Sequence, residues 1–196
     1  YTITTYFNRL GNGTYVHPIY DRMISAREAA RFQSFPDSYI FSGSKTSLCK
    51  QIGNAVPPLL AFSIAKIIKK QTKTKNLLDL FCGCGGLSLG FAWAGFNIVV
   101  GNDNFRQACE TFRLNHKETN LIEGDITDSK IQNDIVKTSK KKGVDIIVGG
   151  PPCQGFSHAG KRMIDDPRNS LYKEFVRMVN EIKPKVFLME NVEGIL

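Results

Sequence analysis

Leu77-Leu78-Asp79-Leu80-Phe81-Cys82-Gly83-Cys84-Gly85-Gly86-Leu87 passes from an apolar run through a glycine-rich turn into a second apolar segment. That order predicts a buried strand over Leu77–Phe81, a tight turn, and a helix over Gly86–Ala94. Further along, strand and helix signals keep alternating. Strands are expected at Asn97–Gly101, near Asn120–Glu123, at Val144–Val148 and at Lys185–Met189, with helices at Phe105–Asn115, Ile131–Lys141 and Asn169–Ile182. Alternation of this kind implies right-handed crossovers, so the expected fold is α/β, a doubly wound, mostly parallel sheet with helices on both faces.

In such a sheet, ligands bind outside the carboxyl ends of the strands, and the residues at those ends carry the chemistry. After the first strand, Gly83, Gly85 and Gly86 would let a ligand approach the backbone at a helix N-terminus. A glycine turn can also exist only for close packing. Gly101-Asn102-Asp103 follows the second strand and Gly124-Asp125-Ile126 the third. An acid at the second strand end suits ribose hydroxyls, and a polar group at the third suits an adenine edge. The spacing is not G-x-G-x-x-G, and no lysine-bearing phosphate loop is present. An adenosine cofactor without a bound pyrophosphate fits best, with S-adenosyl-L-methionine the first choice.

The fourth strand runs into Gly149-Gly150-Pro151-Pro152-Cys153-Gln154-Gly155-Phe156-Ser157, a tight turn that can present a thiol. The fifth ends on Met189-Glu190-Asn191-Val192, where desolvation would raise the carboxyl pKa and let it hold a proton near neutrality. Cys153 as nucleophile and Glu190 as proton donor, on adjacent strand ends beside an adenosine site, suit covalent chemistry on an aromatic heterocycle. The five cysteines follow no framework spacing and are expected as reduced thiols. Cys82-x-Cys84 lacks a second pair and the three histidines are scattered, so these two read as turn residues and no metal site is expected.

Residues 1–75 hold 11 Lys/Arg against 3 Asp/Glu, whereas residues 76–196 hold 15 of each, so the whole net charge of +8 lies in the first segment. That asymmetry suits a polyanionic partner, nucleic acid first. Within it, Ser25-Ala26-Arg27-Glu28 is a capping box opening a short helix that Phe35-Pro36 stops. Gln51-Ile52-Gly53-Asn54-Ala55-Val56-Pro57-Pro58 reads as a turn followed by a helix over Leu59–Lys70, with Leu60, Ile64, Ile67 and Ile68 toward a core. Residues 71–75 have linker composition, dividing a basic segment, 1–75, from a cofactor-binding and catalytic core, 76–196. Lys140-Lys141-Lys142 closes a helix and reads as solvated structure. No apolar run approaches the roughly 20 residues of a membrane span.

Five blocks of this chain, Phe81-x-Gly83-x-Gly85-Gly86, Pro151-Pro152-Cys153-Gln154, Glu190-Asn191-Val192, Arg27-Glu28-x-Ala30-Arg31-x-Gln33-x-Phe35-Pro36 and Gln51-x-Gly53-Asn54-Ala55-Val56-Pro57, resemble the motifs of the DNA cytosine-5 methyltransferases. The resemblance implies the S-adenosylmethionine-dependent methyltransferase fold. It implies that Phe81 stacks on adenine, Asp103 holds the ribose, Asp125 and Ile126 contact the adenine, and Leu171, Asn54 and Val56 bound the methionine end. It also implies that Cys153 attacks C6 of a cytosine flipped from double-stranded DNA, with Glu190 at N3 and N4. The block order is rotated relative to the family, as in a circular permutation. The family's Gln-x-Arg-x-Arg block and target-recognition region are missing from this sequence, which implies a second subunit or a missing segment that supplies both. A bacterial restriction-modification enzyme, cytoplasmic and nucleoid-associated, is expected. The alternatives are a tRNA cytosine-5 methyltransferase of the same family and a cofactor-binding subunit that no longer catalyses.

Overall fold

The computed structural model describes residues 3–8, 15–152 and 171–191. In chain order the described elements are α1 (Ala26–Phe32), α2 (Lys45–Asn54), α3 (Pro58–Gln71), β1 (Asn76–Leu80), α4 (Gly86–Trp93), β2 (Asn97–Asp103), α5 (Arg106–Asn115), β3 (Asn120–Glu123), α6 (Ser129–Lys141), β4 (Ile146–Gly149), α7 (Leu171–Ile182) and β5 (Val186–Met189). The strands form one sheet in the order β3-β2-β1-β4-β5, and every neighbouring pair is parallel. All five strand ends therefore share one edge. The order reverses between β1 and β4, which places the switch point beside the glycine turn.

Side chains alternate across the sheet because successive residues of a strand point to opposite faces. Leu77, Ile146 and Val148 join α3, α4 and α5 in one core through Ala61, Ala65, Phe91 and Phe112. Leu78, Leu80 and Ile147 join α6 and α7 in the other through Ile135, Phe175 and Met178. Each of these large side chains is fully buried and contributes about 1.5–3 kcal/mol of transfer free energy. A register shift between Leu77 and Leu78 leaves Val99 as an extra residue on β2.

A third cluster lies in the amino-terminal segment, with Phe7, Ala29, Ala30, Phe35, Tyr39 and Ile52 packed against Cys84 of the glycine turn. Ser25 caps α1 with the reciprocal Glu28 bond, and Arg22 holds both Glu28 oxygens at 2.9 Å.

Two expectations for this segment fail. Gln51, Ile52, Gly53 and Asn54 form the last turn of α2 rather than a loop, because Ser44 caps a helix that reaches Asn54. Gly53 is needed for contact, since a Cβ there would stand 2.5 Å from the Thr5 nitrogen. On α3 the buried stripe is Ala61 and Ala65; of the four residues expected toward a core, Ile68 packs against it partly buried and Ile64 is half-buried, whereas Leu60 and Ile67 are exposed. The reason lies opposite: Gly90 lets α4 approach so closely that only small residues fit between the two helices. The stretch Lys45–Gln71 has the length and apolarity of a membrane-crossing helix, yet Ala55 is extended, two helices form, and Ile52, Ala61 and Ala65 are buried in the protein cores.

Candidate active site

Two adjoining cavities, of about 420 and 360 Å³, open at the carboxyl edge of the sheet and share Phe81, Asp103, Asn104 and Pro152 as walls. Asn54, Val56, Gly83, Gly86 and Glu190 line the first; Asp125, Ile126 and Leu171 line the second. One sequence-expected residue stands apart. The Cβ direction of Gly85 points at His116 Nε2 and the Tyr39 hydroxyl, 2.6 and 2.7 Å away, so Gly85 serves the packing of the turn and does not wall either cavity. Cys153 lies outside the described residues, and the described chain leads to Pro152 at the shared wall.

The turn itself is held in an unusual backbone conformation. Phe81 has φ +57° and Gly83 φ +53°. The left-handed region costs a side-chain-bearing residue on the order of 1–2 kcal/mol, strain of a kind found where a site fixes a side chain. A Cβ built on Gly83 meets nothing within 4 Å, so its backbone borders open cavity space. Its N–H donates to Asp103 Oδ2 at 2.8 Å, while Phe105 N–H donates to Oδ1 at 2.7 Å. The Asp103 carboxylate is thereby fixed between the ends of β1 and β2. At the end of β3, Asp125 Oδ1 accepts from the backbone N–H and hydroxyl of Thr127, and Asn102 Nδ2 donates to the Ile122 and Gly124 carbonyls. Ile126 is buried in the α6–α7 core.

Glu190 continues β5 beyond its last paired residue, and its N–H donates to the Gly149 carbonyl at 2.9 Å. Its side chain lies over Gly150, where a Cβ would be 2.8 Å from Oε2. Asn191 Nδ2 donates to the Pro151 carbonyl at 3.4 Å, tying the Pro-Pro segment to the end of the neighbouring strand. Desolvation raises the Glu190 carboxyl above its ordinary range. Asp103 is also raised, by burial, against the downward pull of its backbone donors. The carboxyl edge thus holds acids biased toward their protonated forms.

Below the turn are groups that the sequence reading passed over. Asp79 is wholly buried on β1, accepts from the Ser88 hydroxyl at 2.6 Å, and is pushed up to about 7. The Tyr39 hydroxyl donates to the Cys84 carbonyl and stands 3.2 Å from His116 Nε2. His116 stacks on Phe112 at 4.4 Å, and burial lowers its pKa to about 4, so it is neutral. The Cys84 thiol donates to the Gln51 carbonyl. No local sequence pattern signals these contacts, since the partners are 45 and 77 positions away. Cys82 and Cys84 face different core clusters and cannot grip one ion; burial pushes Cys84 to about 12 and Cys82 well up.

Comparison with known proteins agrees with this architecture. Type II methyltransferase M.AquIA of Picosynechococcus is 47% identical over 126 residues, covering 62% of this chain and 50% of that protein. M.DdeI of Desulfomicrobium norvegicum is 47% identical over 121 residues, covering 62% of this chain and 28% of the relative. The chain thus spans half or less of these relatives. A solved Escherichia coli structure, described as a DNA modification methyltransferase encoded within a prophage, superposes with a TM-score of 0.52 at 40% identity, over 63% of this chain and 33% of that one. The model of the C-5 cytosine-specific DNA methylases matches residues 2–70 and 75–196, nearly the full length, and the chain accordingly belongs to that family.

Proposed function

We propose that this chain carries the cofactor-binding and catalytic part of an enzyme that transfers a methyl group from S-adenosyl-L-methionine to C5 of cytosine in DNA. The observation that carries the reading is the shared cavity wall: Glu190 and the Pro-Pro segment leading to Cys153 meet the Phe81–Gly83 turn at one strand edge, in a member of this family. The cavity residues suit the cofactor. Phe81 offers a ring face, Asp103 a fixed carboxylate for hydroxyls, Asp125 and Ile126 a polar and an apolar wall, and Gly83 open backbone. Gly86 belongs to the same wall, and Asn54, Val56 and Leu171 would border the methionine end. When bound, S-adenosyl-L-methionine supplies a methyl group on a positively charged sulfur.

The chain's own residues do the rest. A Cys153 thiolate adds to C6 of a cytosine outside the duplex stack, and the ring electrons move toward C5. Extrusion of the base costs a few kcal/mol. Glu190, whose desolvation raises its pKa and so favours the proton-bearing form, would donate to N3 and stabilise the electron-rich ring, while its other oxygen accepts from the N4 amino group. After C5 has taken the methyl group, loss of the C5 proton and expulsion of the thiolate restore aromaticity and the free enzyme.

The basic segment 1–75 and the core 76–196 carry the family's motif blocks in permuted order. A second polypeptide or further segment supplies the Gln-x-Arg-x-Arg block and target recognition. The setting is a restriction-modification system in the bacterial cytoplasm, beside the nucleoid.

Methyl transfer from labelled cofactor to duplex DNA tests the reading, with the chain alone and with a polypeptide bearing the arginine block. DNA containing 5-fluorocytosine should trap an adduct on Cys153, because fluorine at C5 cannot leave as a proton. Cys153→Ser should abolish transfer and adduct while cofactor affinity stays within about twofold. Transfer by that variant, or label on tRNA and none on DNA, would overturn the assignment. Sequence-specific methylation at full rate by the chain alone would remove the second polypeptide.

A further inference from the structure

The parallel sheet gives the molecule a second edge, where the strands begin, one strand length from the cavities. A five-residue strand such as β1 separates the two edges by about 15 Å. Three chain segments meet at this amino edge: the link from α3 to β1, the turn from α6 to β4, and the turn from α7 to β5. Asp145 and Asn76 tie them together. The Asp145 carboxylate accepts from the Lys75 and Asn76 N–H groups at 3.1 Å, the Asp145 carbonyl accepts from Lys185 N–H at 2.9 Å, and Asn76 Nδ2 donates to the Lys142 carbonyl at 2.9 Å.

The knot gathers lysines. Lys73 and Lys75 come from the first segment, Lys141 and Lys142 from the second, Lys183 and Lys185 from the third, and all six are exposed. The acids among them are already engaged: Asp145 in the knot and Glu181 with Arg177 Nε at 2.9 Å. None of the six lysines makes an ion pair with a described residue. Complementing a helix dipole explains lysines in the last turn of α6, but Lys73, Lys75, Lys183 and Lys185 belong to no helix. Like charges gathered at a rigid junction raise the local positive potential, which favours contact with a polyanion.

We propose that this amino edge is a second nucleic-acid contact surface that binds the phosphate backbone of duplex DNA, remote from the cavities and without reading sequence. Nucleic acid is chosen as the polyanion on the strength of the DNA-methylating reading given above. The six-residue group is all lysine, a phosphate-neutralising set without the bidentate arginines or amides that read base edges. Such a surface would hold an enzyme on flanking DNA, or on a neighbouring segment, while the carboxyl edge engages the target.

The test is binding of the chain to a duplex built only of A·T pairs, which offers no cytosine, measured by fluorescence anisotropy over a salt series. Each phosphate contact contributes about 0.9 to the slope of log affinity against log salt. The triple variant Lys73→Gln, Lys142→Gln, Lys185→Gln removes one lysine from each segment and should flatten the slope by about 2–3. A control triple with the same loss of charge elsewhere, Lys66→Gln, Lys117→Gln, Lys137→Gln, should change it by less than about 1. Cofactor affinity and melting temperature report that both variants fold. Equal effects of the two triples, or none, would overturn the proposal. So would tighter, patch-dependent binding to phosphatidylglycerol vesicles than to the duplex, which would make the surface a membrane contact. No methyl transfer enters the readout, so failure of the activity and failure of this surface are seen separately.

Discussion

Replacing Asp79 by Asn should remove a distinct pH dependence from the stability of this protein. Asp79 has no solvent exposure; Ser88 donates to its Oδ2, while Oδ1 has no partner among the described residues. Desolvation, reinforced by nearby Asp103, raises its pKa from 3.8 to about 7. The native state therefore keeps a proton that the unfolded chain releases, and this contribution is full below about pH 4 and is lost as the pH rises through about 7. At about 1.4 kcal/mol per pH unit, the loss between about pH 5 and pH 8 comes to about 2–3 kcal/mol. For a chain of this size that is a fall in Tm of about 5–10 °C. His116 works in the opposite sense. Its native pKa of about 4 lies below the ordinary 6.5, so its contribution is lost as the pH falls through that range. Asp103 and Glu190 share the sign of Asp79. The wild-type profile therefore mixes signs, and the informative quantity is the difference between wild type and Asp79→Asn. The asparagine carbonyl can still accept from Ser88, so any fixed cost of the substitution shifts the curve without tilting it. Urea denaturation at steps from pH 5 to pH 8 should show the variant gaining about 2–3 kcal/mol on wild type across the series. Parallel profiles would refute a raised pKa at Asp79.

Two further outcomes follow from the packing around the glycine turn. Tyr39→Phe leaves the Cys84 carbonyl without its buried donor and should cost about 1–3 kcal/mol by denaturant titration, with weaker cofactor binding because only the Cys84–Gln51 bond then ties Cys84 to the α1–α2 segment. Gly90→Ala would improve helix propensity by about 1 kcal/mol, but its Cβ would stand 2.4 Å from the Pro58 carbonyl and 2.5 Å from Ala61 Cβ. Overpacking of about 1–3 kcal/mol or more should win, and a variant with an unchanged or higher denaturation midpoint would contradict the close α3–α4 contact.

The succession of strands and helices was legible because each strand signal is short, apolar and separated by a helix, and the boundaries moved by at most two residues. Asp103, Asp125 and Glu190 were legible as well, since topology alone sends the residue after each strand to a common edge. What stayed hidden depends on contacts between distant segments. Gly53 looks like a turn residue in isolation, and only the Thr4-Thr5 backbone against it shows why the helix needs a glycine there. Leu60 and Ile67 satisfy a helical apolar stripe, yet the closeness of α4 selects Ala61 and Ala65 for the interior. Gly85 has the same origin: its freedom accommodates His116 and Tyr39, not the cavity.

These misreadings share a cause that bears on how the site is built. Gly53, Gly85, Gly86 and Gly90 mark places where a backbone or a packed ring comes too near for a side chain, and each joins an element of residues 1–71 to another part of the chain. At Gly86 the neighbour is the Val56 carbonyl, so Asn54 and Val56 reach the cavity wall because the turn lacks a Cβ there. The Tyr39–Cys84 and Cys84–Gln51 bonds fix the other side of the same turn. The strained Phe81 conformation is thus held from two directions by a segment that joins β1 only through residues 72–75. A basic segment that serves as one wall of the cavity cannot be a separable appendage. The excess positive charge of residues 1–75 and the contacts that shape the glycine turn belong to the same piece of polypeptide, so loss of its packing would displace the charge and loosen the turn together.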